Sequence, residues 1–255
     1  MAQPTDLPCL YVYAITASET ALPVDCPGVG DENARVRALH RDGLAAVVSP
    51  LTARPRARRR DLRAHQEVLA VLAARGPVLP MRFGVIAPDE QSVLAELGAE
   101  REARLASLER LTGKAEWNVK GVPDPDALPN LLREDAELRA LRESTRRRPG
   151  YEASVRLGEA VAAGLQHRAE QAASKVLSAL RPLAAESCEG REVGGGALNA
   201  SFLVAHEAEA DFRAAAGRLA AEQAGRIVLT VTGPLPCYSF VSSQFTGVTP
   251  VGASS

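Results

Sequence analysis

The sequence predicts an α+β protein of two domains, each a mostly antiparallel sheet backed by helices, with a ferredoxin-like second domain. The length of 255 residues is long for one domain and suits two small ones. Short apolar runs alternate along the chain with longer stretches in which apolar residues recur every three or four positions, a spacing typical of helices. In the second half these patterns follow the β-α-β-β-α-β order of ferredoxin-like domains.

A proline-rich stretch over 123–129 is the predicted joint between the domains. We therefore expect an N-terminal α+β domain over 1–122, a C-terminal ferredoxin-like α+β domain over 123–241 and a flexible tail over 242–255. A predicted strand over 115–122 precedes the joint, and it can serve as the first strand of the second domain.

The first half begins with a strand over 9–17 that is apolar on both faces, which suits the centre of a covered sheet. A hairpin follows over 34–49, because the Asp42-Gly43 pair favours a tight turn. The remaining predicted elements are a helix that ends before Gly76 with Leu62, His65, Leu69 and Leu72 on its apolar face, a strand over 77–84 and a helix over 88–112. We expect His65 to be a hydrogen-bonded, partly buried side chain rather than a ligand.

In the second half the predicted elements are helices over 128–141 and 151–183, a hairpin of strands over 187–193 and 197–206, a helix over 207–223 and a strand over 226–232. Two apolar runs interrupted by proline, PVLPMRFG over 77–84 and GPLPCYSFV over 233–241, are alike in composition. Proline cannot donate to a β ladder, so both runs belong at strand ends or sheet edges. We expect Phe83 and Phe240, one in each run, to be buried core residues.

The composition is that of an ordinary globular protein, with 46% hydrophobic and 24% charged residues and a net charge of −1. This charge balance gives no overall attraction to nucleic acid or to a membrane, and no apolar run reaches the roughly 20 residues of a membrane helix. The first residues lack the basic and apolar segments of a signal peptide. Together with four widely spaced cysteines, these features predict a reduced, cytoplasmic protein.

The sequence contains no catalytic or cofactor motif. Gly28-Val29-Gly30 lacks the third glycine of a dinucleotide loop, and Thr112-Gly113-Lys114 lacks the upstream glycine of a phosphate loop. The four histidines never stand at the spacing of a metal pair, and no Cys-x-x-Cys accompanies them. We expect no enzymatic activity and no catalytic, cofactor-binding or metal-binding residues. The alternative is a ferredoxin-like enzyme or a small-molecule-binding module that uses the cleft between the domains.

Four segments together resemble the gas vesicle protein F/L family: a YVYAI opening strand, an LPMRFG run, an AEWNVK strand and a terminal GPLPCYSFV run. The residues that carry the resemblance are Tyr11, Val12, Tyr13, Pro80, Arg82, Phe83, Gly84, Glu116, Trp117, Val119, Lys120, Gly233, Pro234, Pro236, Tyr238, Ser239, Phe240 and Val241. Asn118 and Cys237 depart from the family pattern, which commonly has glycine and proline there. The resemblance implies an accessory protein for gas vesicle assembly that associates with the vesicle. Its expected partners are the major, very hydrophobic shell protein, bound during nucleation or early growth, and other accessory gas vesicle proteins.

An arginine-rich stretch at the start of the first predicted helix is the candidate partner-binding surface. It consists of Arg54, Arg56, Arg58, Arg59, Arg60 and Arg63, with Asp61 as the one acidic neighbour. Cations at a helix N-terminus oppose the helix dipole, so helix stability does not explain them. The stretch is interpreted as a solvated charged face, as a docking surface for an acidic protein, or as a nucleic-acid surface that lacks base-stacking aromatics. We take Arg58, Arg59 and Arg60 as the residues that steer the approach of the shell protein. We expect the chain to be a monomer in isolation.

Overall fold

The computed structural model describes residues 9–22, 26–31, 33–51, 58–190 and 194–241. Within these ranges the chain forms seven α-helices and nine strands in two sheets, so the predicted α+β class is confirmed. Contacts divide the chain into a first unit, Met1–Glu116 with Leu235–Ser255, and a second unit, Trp117–Pro234. This division places the segment from Leu235 onward with the first unit, whereas the sequence analysis placed it in the second domain. The limits of independently folding domains, 1–122 and 123–241, stay a prediction.

The first unit combines one sheet with three helices. Its elements are β1 (Cys9–Ala17), β2 (Arg37–Arg41), β3 (Leu44–Leu51), α1 (Arg59–Ala73), β4 (Leu79–Pro80), β5 (Ile86–Ala87), α2 (Glu90–Ala99) and α3 (Arg101–Leu111). The strand order is β2-β3-β1-β4, and β5 also pairs with β1. Strand β1 is antiparallel to β3 on one side and to β4 and β5 on the other. The central strand of this sheet is therefore β1.

Burial and turn geometry explain why β1 and the β2–β3 hairpin match their predictions. Residues 10–16 of β1 are all buried, as expected for a strand that is apolar on both faces. In the turn between β2 and β3, Asp42 has φ of 49° and Gly43 has φ of 86°. Positive φ at both central residues is the geometry that an Asp-Gly pair accommodates, which fixes the register of the hairpin.

The single helix predicted over 88–112 is wrong, because α2 and α3 are separate helices that break at Glu100, with φ of −123° and ψ of 32°. Arg104, which is 1% exposed, lies just after the break and forms an ion pair with Glu96 at 3.0 Å. A guanidinium buried in this way requires a carboxylate and backbone acceptors close to it. The break brings the end of α2 within reach of this arginine, and the leucine spacing does not reveal this requirement, although Glu96 is only eight residues away.

The second unit carries the other sheet and four helices. Strand β6 (Lys114–Pro123) begins in the first unit and continues into the second, which adds α4 (Leu128–Glu134), α5 (Ala136–Arg147), α6 (Tyr151–Leu180), β7 (Glu186–Glu189), β8 (Leu198–Ala205), α7 (Glu209–Glu222) and β9 (Ile227–Leu235). The strand order is β7-β8-β6-β9. Helices connect β6 to β7 and β8 to β9, in the β-α-β-β-α-β order that the sequence predicts.

Two elements of the second unit differ from their predictions. The helix expected over 128–141 is two helices, because Asp135 leaves helical geometry and its side chain accepts the Leu138 N–H as the N-cap of α5. The strand predicted over 226–232 extends to Leu235 as β9, so the run over 233–241 begins at a strand end, as its prolines predict, and Tyr238–Phe240 forms a 3₁₀ turn. The core of this unit packs α6 and α7 on the sheet around Trp117, Phe202 and Phe212.

None of the helices in the described part of the chain is long and apolar enough to cross a membrane.

Candidate functional site

The predicted steering residues lie at the start of α1. Arg58 immediately precedes the helix and Arg59 is its first residue, and both side chains are exposed. Arg60 is exposed too, but it donates to the carbonyl of Gly30 at 2.8 Å and pairs with Asp61 at 3.3 Å. Arg60 therefore anchors the loop that holds Gly30, whereas Arg58 and Arg59 face solvent. Arg54 and Arg56 lie outside the described residues.

The buried face of α1 matches its prediction at His65, Leu69 and Leu72 but differs in the first turn. Asp61, rather than Leu62, occupies the buried position there, and it is 3% exposed. Its carboxylate accepts the backbone N–H of Gly30 at 3.2 Å and the Arg60 guanidinium, which satisfies the buried charge. Placing Leu62 on the buried face was wrong, because this side chain is 38% exposed and the buried position is taken by a carboxylate whose partner lies 31 residues away in sequence.

Leu62 lies on the helix surface among arginines. Arg58 and Arg59 precede it by four and three residues, which places them on the same face one turn away, and Arg63 follows it and is exposed. We call Arg58, Arg59, Leu62 and Arg63 the α1 arginine face. Because arginine is enriched at protein interfaces, the α1 arginine face is the candidate binding surface of the first unit.

The opposite face of α1 packs on a cluster of aromatic rings. We call Tyr11, Tyr13, His65, Phe83 and Tyr238 the Tyr-His cluster. The Tyr11 ring lies 4.8 Å from the Tyr13 ring, 5.7 Å from His65 and 5.9 Å from Phe83, measured between centroids. These separations and the edge-on or tilted orientations are those of favourable aromatic packing. Four of the five residues come from the strand and turn segments that carry the family resemblance, and His65 comes from α1.

Hydrogen bonds run through the centre of the Tyr-His cluster. The Tyr11 hydroxyl lies 3.0 Å from Nδ1 of His65 and accepts the backbone N–H of Gly84 at 3.1 Å. Nε2 of His65 lies 3.4 Å from the Tyr238 hydroxyl. Because a tyrosine hydroxyl can accept and donate at once, Tyr11 can satisfy both Gly84 and His65. His65 is thus a buried structural residue that connects α1, β1 and the terminal 3₁₀ turn, as its position on the apolar face predicts.

A second set of hydrogen bonds holds the terminal 3₁₀ turn in place. Glu116, which is 4% exposed, accepts the Ser239 backbone N–H at 2.8 Å and the Ser239 hydroxyl at 2.6 Å. Arg110 donates to the carbonyl of Phe240, whose ring is 7% exposed. Phe240 is therefore a core residue as predicted. Phe83 packs against the core of the first unit but is only half-buried, so its prediction as a buried core residue holds in part.

Burial keeps the titrating groups of the Tyr-His cluster neutral. It lowers the pKa of His65 from 6.5 to about 4, against a smaller opposite effect of the Met81 backbone. It raises the pKa of the Tyr11 and Tyr13 hydroxyls above the ordinary value. Near neutral pH these three groups carry no charge, so they provide neither a general base near pH 7 nor a tyrosinate nucleophile. Among the described residues, no group of three or more histidine, cysteine or acidic side chains could hold a metal ion.

Sequence reasoning found the members of the Tyr-His cluster but not their association. Tyr11, Phe83 and Tyr238 were noted as family residues, and His65 was placed on an apolar helix face. The hydrogen-bonded side-chain pairs Tyr11–His65 and His65–Tyr238 are 54 and 173 positions apart along the chain. The local signal is limited to Phe83 and Tyr238, which lie in the two apolar runs interrupted by proline.

The chain is similar to known proteins over most of its length. The sequence profile of the family described as gas vesicle synthesis protein GvpL/GvpF matches residues 9–242. Gas vesicle protein F of a Streptomyces species is 44% identical over 236 residues, which cover 91% of this chain and 98% of that protein. Gas vesicle protein L of the same strain is 35% identical over 133 residues, 46% of this chain and 48% of that protein.

Solved structures show the same fold. The crystal structure of the gas vesicle protein GvpF from an Anabaena species superposes with a TM-score of 0.74 at 23% identity, covering 93% of this chain and all of that one. The corresponding protein from Microcystis aeruginosa gives a TM-score of 0.70 at 22% identity, covering 92% of this chain and 99% of that one.

Proposed function

The chain belongs to the gas vesicle GvpL/GvpF family, and from this premise we propose that it is an accessory assembly protein that binds the hydrophobic vesicle shell protein during nucleation or early growth. The observation that supports this proposal is the α1 arginine face, where Leu62 is 38% exposed among arginines. Other accessory gas vesicle proteins are further partners. The protein works in the cytoplasm, in association with the vesicle, and is a monomer before it binds.

The physical requirement for such a protein is simple. A subunit that assembles into an apolar-lined wall aggregates unless its apolar surface is covered until it is incorporated. A partner with an apolar contact or an open strand edge can cover it reversibly. Arginines around the contact then accelerate association without adding much to the lifetime of the complex.

Enzymatic activity is not part of the proposal. The family is a gas vesicle synthesis family rather than an enzyme family. The residues that the sequence motifs bring together in the first unit form the largely buried Tyr-His cluster, whose hydrogen bonds are made within the unit. Tyr238 is 39% exposed, and burial of its hydroxyl raises the pKa to about 12, so this group is protonated near neutral pH.

The proposal is tested by binding kinetics on immobilised shell protein at low and high salt. Reversing Arg58 and Arg59 together to glutamate should slow association at low salt at least several-fold, leave dissociation nearly unchanged, and have little effect at high salt. Arg60 is left intact because it holds Gly30 and Asp61. The matched control reverses Arg146 and Arg147 on α5, which are 78% and 76% exposed and change the net charge equally.

Replacing Leu62 with serine separates the apolar contact from the charges. This variant should dissociate faster at both salt concentrations, because an exposed leucine that becomes buried in the complex contributes through apolar area. Equal association rates for the wild type and the arginine variant at low salt would remove the α1 arginine face from the mechanism. A wild-type protein that does not bind the shell protein at all would refute the proposed function.

A further inference from the structure

The two edges of the second sheet differ in how they are protected against pairing with another strand. Strand β7 is four residues long and has a glutamate at each end. Strand β9 is nine residues long, and Ile227–Leu235 contains no charged side chain. Natural edge strands are normally short, charged or bulged because an open edge pairs with other chains. A proline in the strand is a further protection of an edge, and β9 has one at position 234, close to its end.

The side chains of β9 make it a suitable pairing surface. Val228 is 44% exposed, and Thr230 and Thr232 are exposed on the same face of the strand. Branched residues of this kind favour extended backbone and pack well against a neighbouring strand. The outer side of β9, the last strand in the order β7-β8-β6-β9, pairs with no further strand among the residues that the structure describes. It therefore offers backbone donors and acceptors to a partner.

A groove of about 450 Å³ lies beside β9, between this strand and α7. Its apolar part is lined by Trp117, Ala216, Ala220 and Val231, and Arg213 and Glu209 stand in its lining as well. Gly217 belongs to the same lining, and a Cβ atom added there would meet nothing within 4 Å. The groove is thus open above Gly217, with a volume in the range of sites that take a side chain or a small ligand.

Two polar groups in the lining of this groove make no hydrogen bond or ion pair among the described residues. Trp117 is 4% exposed, and its indole N–H meets no acceptor among the residues that the structure describes. A buried donor without an acceptor is destabilising, so native structures rarely keep one. The Arg213 guanidinium makes a cation–π contact with the Trp117 ring, 5.8 Å from its centroid, but over the described ranges it forms no ion pair with a carboxylate.

We propose that the β9 edge and this groove are a docking site for an extended polypeptide segment that carries apolar side chains and a carboxylate. The segment adds a strand to β9, and every second side chain points toward the groove. Its carboxylate pairs with Arg213, and one of its oxygens accepts the Trp117 N–H. The inference deepens the proposed function, and it rests on that function for the identity of the partner, the vesicle shell protein.

A second copy of this chain fits the site less well. Self-pairing would place β9 of one copy against β9 of the other, and this strand has no carboxylate to offer Arg213. The unpaired guanidinium therefore favours a different protein with an acidic residue in an extended segment. Dimerisation through β9 remains a distinct outcome that sedimentation detects.

The test uses a synthetic probe, the fluorescein-labelled and amidated peptide TVEVTVT, beside a matched peptide with lysine in place of glutamate. Trp117 is the sole tryptophan of the chain, so its emission reports directly on the groove. We expect the glutamate peptide to change Trp117 emission and to raise the anisotropy of its label, with saturation. The lysine peptide should bind at least tenfold more weakly.

Two variants of α7 locate the binding. Gly217→Leu fills the groove from an exposed helical position with open space, and Arg213→Glu reverses the charge. Each should weaken the glutamate peptide at least tenfold. Arg218→Glu, which changes an exposed arginine of the same helix outside the groove, should bind as the wild type does.

Two lysine substitutions test the strand edge. Thr230→Lys places a protective charge on β9 and should abolish peptide pairing, while Ser187→Lys on the opposite edge strand β7 should have no effect. Equal affinity for the two peptides, or unchanged affinity in Gly217→Leu and Arg213→Glu, would overturn the docking site. A dimer that Thr230→Lys dissociates would overturn it as well, because a second copy would then occupy the edge.

Binding of the same variants to shell protein separates this inference from the proposed function. If the wild type binds the peptide but not the shell protein, the proposed function fails and the docking site stands for another acidic segment. If the wild type and the variants Gly217→Leu and Arg213→Glu bind shell protein equally, the docking site fails as the shell-binding surface and the proposed function stands.

Discussion

The buried imidazole of His65 should make the stability of the first unit depend on pH. Its pKa is about 4 in the folded protein and 6.5 in the unfolded chain. Between these values the unfolded chain binds the proton more strongly than the folded protein does. The contribution of the neutral His65 to the free energy of unfolding is therefore fully present above pH 6.5 and is lost as the pH falls toward 4.

The magnitude follows from the two pKa values. Lowering the pH from 7 to 5 should cost about 2 kcal/mol of unfolding free energy, and the full difference approaches about 3 kcal/mol at lower pH. Protonation would also leave a charged ring between the Tyr11 and Tyr238 hydroxyls at 3% exposure, where few acceptors remain to solvate it. The predicted loss is a large part of the stability of an ordinary domain.

The assay is urea unfolding followed by circular dichroism at pH 7, 6 and 5, for the wild type and His65→Gln. The glutamine variant cannot titrate, so its loss between pH 7 and pH 5 should be smaller by about 2 kcal/mol. His167→Gln, which changes an exposed histidine on α6, should follow the wild type. The same pH-dependent loss in wild type and His65→Gln, or an NMR titration that places the His65 pKa near 6.5, would refute the reasoning.

Three further predictions concern packing and hydrogen bonds. Phe240→Ala should cost about 3–5 kcal/mol in chemical denaturation because the ring is 7% exposed, and Phe83→Ala should cost clearly less because that ring is half-buried; equal losses would contradict the burial seen here. Ser239→Ala should cost about 1.5–3 kcal/mol, since it removes a hydrogen bond to the buried Glu116 carboxylate, and Ser187→Ala, at an exposed serine of β7, serves as its control. Gly217→Ala should leave stability unchanged or raise it by up to about 1 kcal/mol, and a thermal unfolding midpoint below that of the wild type would exclude open space at this position.

Local signals in the sequence account for the parts of the fold that were predicted well. The Asp42-Gly43 pair needs only its own backbone preference to define the turn between β2 and β3, and the β-α-β-β-α-β order follows from apolar runs read one after another. The break before α5 also had a local signal, since Asp135 is an N-cap residue. It was missed because the leucine spacing continues across it.

The remaining features depend on contacts between distant parts of the chain. The buried position of Asp61 in the first turn of α1 is satisfied by its contact with Gly30, and the Tyr-His cluster forms only when Tyr11, His65 and Tyr238 meet. The periodicity of apolar residues does not predict these contacts, because each contacting residue fits its own helix or strand pattern whether or not the distant residue is present. The arginines at 58 and 59 could be named from sequence, whereas the exposed Leu62 among them required the structure.

The return of the chain from Leu235 onward to the first unit has a consequence for biosynthesis. A ribosome makes residues 9–116 first, but the groups that Glu116, Arg110 and His65 bind on the terminal 3₁₀ turn are translated more than a hundred codons later. Domains generally fold from the N-terminus during synthesis. The first unit cannot complete its contacts in this way, because its last segment begins at Leu235. A chain that ends before Ser239 lacks the hydrogen-bond donors of the Glu116 carboxylate. Only the chain that includes the terminal 3₁₀ turn can therefore form the complete first unit.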